Sequence, residues 1–246
     1  MNMANDTKQF LTISEAAKYL GLSEATLRRW DNDGTFKATF RSPGGHRYYS
    51  QSDLGKKTKG IFMLAQDWAN SGDVYTLEPD FYCSTSDRFK GRLERMAHEL
   101  SADSTLQATG SLIASAAGEI GNNSFDHNLG NWPDVIGTFF AYDLGKRRIV
   151  LADRGVGILT TLRRVKPELK NDEQALRVAF TEIITARFPE HRGNGLKYVR
   201  SAINQAGAKL FFQSGDSVLE INKTSSEFSI KKSDVAISGC LALIEF

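Results

Sequence analysis

Ser111-Leu-Ile-Ala-Ser-Ala-Ala-Gly-Glu-Ile-Gly-Asn-Asn-Ser-Phe-Asp-His-Asn128 is the stretch on which the reading of this chain turns. At ~100° per residue on a helix, Ile113, Ala117, Ile120 and Ser124 fall on one side. Glu119, Asn123 and Asp126 cluster about a quarter turn away. A carboxylate and a carboxamide at i and i+4 are what a metal–phosphate site requires. The amide oxygen of Asn123 can ligate a hard magnesium ion, and Glu119 can orient or deprotonate a water. Solvated helix faces also carry Glu and Asn, so the spacing gains weight only from two further elements nearer the C-terminus.

Ile136–Tyr142 and Arg148–Ala152 read as strands joined by the turn Asp143-Leu-Gly-Lys146, and the second ends in Asp153-Arg-Gly-Val-Gly157. An acid emerging from a buried strand can accept a hydrogen bond from an exocyclic amine, and the two glycines let a ring approach the backbone. Further on, Arg192-Gly-Asn-Gly-Leu-Lys-Tyr-Val199 opens a helix running to about Ala206. A glycine-rich turn with free N–H groups at a helix N-terminus is a phosphate cradle. Upstream, Asp87–Leu100 is an amphipathic helix and Lys56-Lys-Thr-Lys-Gly60 a linker.

Taken in this order, the three elements resemble the ATP-binding domain of the GHKL (histidine kinase-like) superfamily, over residues 75–246. The resemblance implies an α+β fold with a Bergerat-type α/β sandwich, a mixed sheet with helices on one face. It implies ATP and Mg2+ as cofactors, Glu119 as general base for water, and Asn123 as magnesium ligand. Asp153 would hold the adenine amine, with Asp126, Gly155, Gly157, Arg192, Gly193, Asn194, Gly195 and Leu196 around the nucleotide. Residues 158–192, including Arg187 and Arg192, would form a lid, and Ser238–Phe246 is similar to the closing strand. Two departures are visible: the phosphate box is short, and Cys240 stands where the family commonly has Thr.

The front of the chain is a different unit. Leu11–Trp30 reads as two short helices with a Gly21 turn, Ser14 and Ser23 as caps, and Ala17, Leu20, Leu27 and Trp30 pointing inward. Two helices so joined are the unit that places a second helix in the DNA major groove. Phe40-Arg-Ser-Pro-Gly-Gly-His-Arg-Tyr-Tyr49 then suits a hairpin wing, with Ser52 as a cap behind it. Residues 10–54 resemble the winged helix-turn-helix of the MerR and excisionase-like family. That resemblance implies contacts to double-stranded DNA from Arg28 and Arg29 on the second helix and from Arg41, His46 and Arg47 on the wing. The organisation read from the sequence is therefore a DNA-binding domain at 8–58, a linker at 59–74 and the ATP-binding domain at 75–246.

Charge agrees with that division. Residues 1–60 carry ten Lys/Arg against six Asp/Glu, a balance of +4, and the chain as a whole is +2, leaving −2 for the remainder. No apolar run approaches the ~20 residues of a membrane span, the N-terminus lacks the apolar core of a secretion signal, and the two cysteines have no paired spacing. A cytoplasmic protein without a zinc site or disulfide framework is expected. His98 sits in Ala-His-Glu-Leu, like the phosphoacceptor box of histidine kinases, but only 25 residues separate it from Asn123. That leaves no room for the second long helix such a kinase needs, so His98 reads as a helix-surface residue. His127 reads as structural and His191 as a lid residue.

Three functions remain open on the sequence. The first is an ATP-hydrolysing DNA-binding protein whose nucleotide state regulates dimerisation or DNA binding. The second is a nucleotide-sensing transcription factor without turnover. The third is a serine protein kinase like the anti-sigma-factor kinases, acting on a regulatory protein partner. A homodimer is the state both resemblances imply.

Overall fold

The structure is a computed structural model that describes residues 10–20, 22–70, 77, 79–182, 195–223 and 227–246. Its first part is a small module: β1 (Phe10–Thr12), α1 (Ile13–Leu20), α2 (Glu24–Asp33), β2 (Phe40–Arg41), β3 (Arg47–Ser50) and α3 (Gln51–Asn70). The three strands pair antiparallel in the order β1-β3-β2. Helix α1 is opened by a capping box at Thr12, not by Ser14. The Glu15 N–H donates to Thr12 Oγ1 at 3.3 Å, and the Thr12 N–H donates to Glu15 Oε2 at 2.9 Å. Ser23 caps α2 as expected, accepting from the Thr26 N–H at 3.1 Å. Helix α3 starts earlier than the sequence suggests, because Ser50, not Ser52, accepts from the Asp53 N–H at 3.1 Å.

The expected linker at 59–74 is helical as far as Asn70. Helix α3 runs unbroken to that residue, and Ile61, Ala65, Trp68 and Ala69 are buried along one side of it. Their i, i+4, i+7, i+8 spacing is a core-facing stripe, and charge at 56–59 does not end a helix.

The larger part holds β4 (Tyr82–Cys83), α4 (Ser86–Ala102), α5 (Gly110–Asn128), β5 (Thr138–Asp143), β6 (Arg148–Asp153), α6 (Gly157–Arg163), α7 (Asp172–Thr181), α8 (Gly195–Gln205), β7 (Lys209–Ile221) and β8 (Phe228–Glu245). The sheet order is β4-β5-β6-β8-β7, and every described pair is antiparallel, so the sheet is not mixed.

Register sorts its side chains into rows. On one face lie Tyr142-Ile149-Ile244-Leu210, then Phe140-Leu151-Ala242-Phe212, then Thr138-Asp153-Cys240-Ser214. The first two rows are apolar and pack with α4, α5, α7 and α8 into one core. The last row is polar and lies at the sheet end where the candidate site is found.

The opposite face is covered as well, which corrects the expectation of helices on one face only. Phe139, Ala141, Val150, Ala152 and Leu241 form a second core with Ile61, Ala65 and Trp68 of α3 and with Ala16, Leu20, Leu27 and Trp30 of the module. Strands apolar in both registers are what a sheet buried on both faces requires.

Candidate functional site

A half-open cavity lies between the end of α5, the start of α8 and the polar row of the sheet. Its walls include Ile120, Asn123, Ser124, Asp153, Leu196 and Cys240. Asp153 is the deepest charge there, 3% exposed. Ser124 Oγ donates to its Oδ2 at 2.8 Å, and the Gly155 N–H donates to its Oδ1 at 2.8 Å. Burial pushes its carboxyl up to about 6, against the lowering effect of the Gly155 N–H, the Ser124 hydroxyl and the Cys240 backbone. An acid so placed is poised between its two protonation states near neutral pH.

The glycines of the expected motifs have specific reasons here. A Cβ on Gly155 would lie 2.1–2.3 Å from the side chain of Asn128. That side chain cannot yield easily, because Asn128 Oδ1 accepts from the Val156 N–H and its Nδ2 donates to the Ser124 carbonyl, each at 2.8 Å. A Cβ on Gly195 would lie 3.0 Å from Glu119 Oε2 and 3.2 Å from Asn123 Nδ2. The start of α8 is thus pressed against the two polar side chains of α5 singled out in the sequence. Gly157 adopts φ +76° at the start of α6, whose Ile158 and Thr161 line the cavity.

The fold brings most of the expected site residues together. Glu119 and Asn123 are half-buried beside Gly195; Asn123, Asp153, Gly157 and Leu196 line the cavity; and Gly155 supports its floor. Asp126 does not line the cavity: it is exposed on α5, next to His127, which does. Arg192, Gly193 and Asn194, with Arg187 and His191, lie outside the described residues. The lid reading at 158–192 is corrected for the part described. Helices α6 and α7 carry their own packed cluster of Leu162, Leu169 and Ala175, and Leu176 and Phe180 join the main core.

Sequence reasoning missed Asn128, Ser214 and Cys240 as cavity or support residues. A signal existed for the first: Ile120, Ser124 and Asn128 succeed one another at i, i+4, i+8, so the inward stripe of α5 turns polar where it meets the cavity. Ser214 accepts from the Ile158 N–H at 3.0 Å and donates to the Gly239 carbonyl at 3.1 Å, a link across 56 residues that no local pattern announces. His127 lines the cavity, and His98 is exposed on α4.

The second candidate surface is the outer face of α2. Ala25, Arg28, Arg29, Asn32 and Asp33 are exposed on it, and Thr26, Leu27, Trp30 and Asp31 are buried beneath. Arg28 bridges Glu24 one turn back at 2.7 Å.

The wing arginines, expected at the DNA, also have partners within the module. Arg41 and Arg47 both bridge the buried Asp31, at 2.5 and 2.6 Å, and Arg47 also donates to Asn32 Oδ1 at 3.0 Å. They clamp the wing to the end of α2. Burial alone would raise the Asp31 carboxyl, but the Ala38 N–H and the two guanidinium groups outweigh it and hold it at about 2. Since the folded value lies below the ordinary 3.8, the clamp stabilises fully above about pH 4 and is lost as pH falls toward 2. His46 stays exposed at the wing tip.

A family model described as "Helix-turn-helix domain" matches residues 10–55. Residues 10–55 are a helix-turn-helix domain. The match supports a DNA-binding role for the chain. A stretch of 79 residues is 30% identical to the type II methyltransferase M.Eco47II of Escherichia coli, covering 30% of this chain and 19% of that protein. The chain thus spans about a fifth of the length of the curated relative it matches. Among the described residues no helix is long and apolar enough to cross a membrane, and no group of three or more His, Cys, Asp or Glu could hold a metal ion.

The domain's two kinds of arginine predict different mutant behaviour. Arg28→Ala should flatten the logarithmic salt dependence of duplex binding by about 0.9, the share of one phosphate contact. Arg47→Ala should leave that slope near the parent's and lower the thermal midpoint instead, because Asp31 stays buried with one partner fewer. Anisotropy titrations of a labelled duplex at several salt concentrations, beside melting curves, separate the two.

Proposed function

We propose that this chain is a DNA-binding protein whose residues 75–246 bind ATP with magnesium in a GHKL-type, Bergerat-like pocket and hydrolyse it. In this reading nucleotide state regulates dimerisation or DNA binding. The observation that carries it is the close approach of Gly195 to Glu119 and Asn123, beside a cavity lined by Asn123, Leu196 and buried Asp153. Three elements far apart in sequence meet there, which supports the reading.

The residues present fit the cofactors. Asn123 offers a hard amide oxygen suited to magnesium. Among the described residues the only acid on the cavity wall is Asp153, and Ile120, Ile158 and Phe212 supply apolar surface to the same wall. Asp153 would accept from the adenine amine. Its orientation is set by Ser124 and Gly155, so the acceptor is in place before any ligand arrives. Glu119, half-buried and next to Asn123 on α5, would take the proton from the attacking water. ATP supplies the phosphoanhydride bond that is broken; the chain supplies position, proton acceptance and shelter from solvent.

Phosphate release from ATP with magnesium, with and without duplex DNA, tests the reading. Release that Glu119→Gln loses supports an ATPase, and stimulation by DNA ties the two parts together. Binding by calorimetry without release moves the function to a nucleotide-sensing regulator or a kinase for a protein partner. Absence of binding removes the nucleotide reading. Sedimentation with and without ATP tests the homodimer.

A further inference from the structure

Asp153 and Arg154 are neighbours at the end of β6, and they serve opposite faces of the sheet. Asp153 lines the cavity. The guanidinium of Arg154 lies 5.9 Å from the ring centroid of Trp68 on α3, and it is ion-paired with Asp134. From Trp68 a buried series of rings leads to the DNA-facing helix. Trp68 meets Phe139 at 6.5 Å, Phe139 stacks on Phe81 at 5.4 Å, and Phe81 meets Trp30 of α2 at 6.1 Å. All four rings are at most 3% exposed. Beside Phe81, Asp80 accepts from the Ser23 N–H at 3.0 Å and from Thr26 Oγ1 at 2.5 Å, in the first turn of α2. The recognition helix is thus tied by Asp80 at its start and by Trp30 further along to the ring series that ends at Trp68, beside Arg154.

We propose that the cavity and the recognition helix are linked within a single protomer through Arg154, Trp68, Phe139, Phe81 and Trp30, so that occupancy of one site changes affinity at the other. The proposal rests on the nucleotide reading for the identity of the cavity's ligand and adds the route of regulation. Close-packed interiors pass small displacements on rather than absorbing them. Arg154 and the four rings of this series are all at most 3% exposed. Ligand-to-ligand coupling of this kind spans about 5- to 150-fold in affinity and acts equally in both directions. A second copy of the chain is not needed for it.

The test uses the full chain, ATP with magnesium, and a fluorescein-labelled duplex of nonspecific sequence. ATP should change duplex affinity by about fivefold or more, and duplex should change ATP affinity by the same factor. Arg154→Met keeps the length of the side chain and removes its charge. Its partner Asp134 is 41% exposed and so can be solvated. This variant should bind ATP and duplex separately like the parent, with the ratio between free and linked affinities falling to near one. Trp68 provides a second readout. With Trp30 and Trp132 replaced by Phe, ATP should alter the emission of Trp68, although Trp68 is not in the cavity wall.

A full coupling ratio retained in Arg154→Met overturns the route. ATP binding by calorimetry with no change in duplex affinity or Trp68 emission overturns the coupling and leaves the nucleotide reading standing. No ATP binding at all removes that reading, and the coupling falls with it.

Discussion

Glu119→Gln should release phosphate from ATP ~10²–10⁴-fold more slowly than the parent while binding ATP about equally well, the range expected for loss of a general base. The substitution is nearly isosteric, and Glu119 is only half-buried on α5, so the helix and its contact with Gly195 should persist. A single-turnover measurement separates the two quantities: the amplitude reports binding and the rate reports proton acceptance. An equal fall in affinity and rate would instead make Glu119 a ligand-binding group. Unchanged turnover would remove it from the chemistry altogether.

Asp153→Asn should weaken ATP binding by roughly 10- to 100-fold, the equivalent of one lost hydrogen bond to a charged acceptor at about 1.5–3 kcal/mol. The same variant should fold at least as well at neutral pH. An amide can accept from the Gly155 N–H through its oxygen and donate to Ser124 Oγ through its nitrogen, so the local bonds survive.

The raised carboxyl sets the sign of the pH dependence. With a folded value of about 6 against an ordinary 3.8, Asp153 binds more protons folded than unfolded across that interval. Its contribution to stability therefore falls as pH rises from about 4 to 6 and stays low above, where the buried group is ionised. Asparagine removes that burden. Affinity runs the other way: ATP should bind the parent more weakly as pH falls through about 6, because a protonated Asp153 offers a poorer acceptor. The variant should show little of this dependence. Calorimetry between pH 5 and 8, with denaturant curves at the same values, measures both, and a steep pH profile retained in Asp153→Asn would assign the titration elsewhere.

Helix α5 was legible because its two periodic patterns, apolar at Ile113, Ala117 and Ile120 and polar at Glu119 and Asn123, are local. The strands at 138–143 and 148–153 were legible for the same reason, with a four-residue turn between them. The second layer of cover on the sheet was not inferred, although Phe139-Phe-Ala-Tyr and Ile149-Val-Leu-Ala leave no polar face to meet water. Basic residues at 56–59 suggest a break, whereas the stripe Ile61, Ala65, Trp68 continues the helix.

The ion pairs of the wing arginines are not legible in the sequence, for a deeper reason. Charge and turn chemistry set Arg41 and Arg47 on a hairpin, but their partner Asp31 is buried by tertiary packing, and no spacing in the sequence reveals that. Arg28, on the outer face of α2, needed only helical geometry.

The core that Trp30, Leu20 and Leu27 share with the back of the sheet also bears on where this protein divides. The family match ends at residue 55, yet apolar surface on both sides of that limit is buried jointly. A fragment cut there would bare part of its own interior, so the limit of recognisable ancestry is not a limit of autonomous folding. Heating should accordingly melt the DNA-binding part and the sheet in one cooperative transition. Any lesion that loosens the sheet then reduces DNA occupancy even where it leaves every DNA-facing side chain intact.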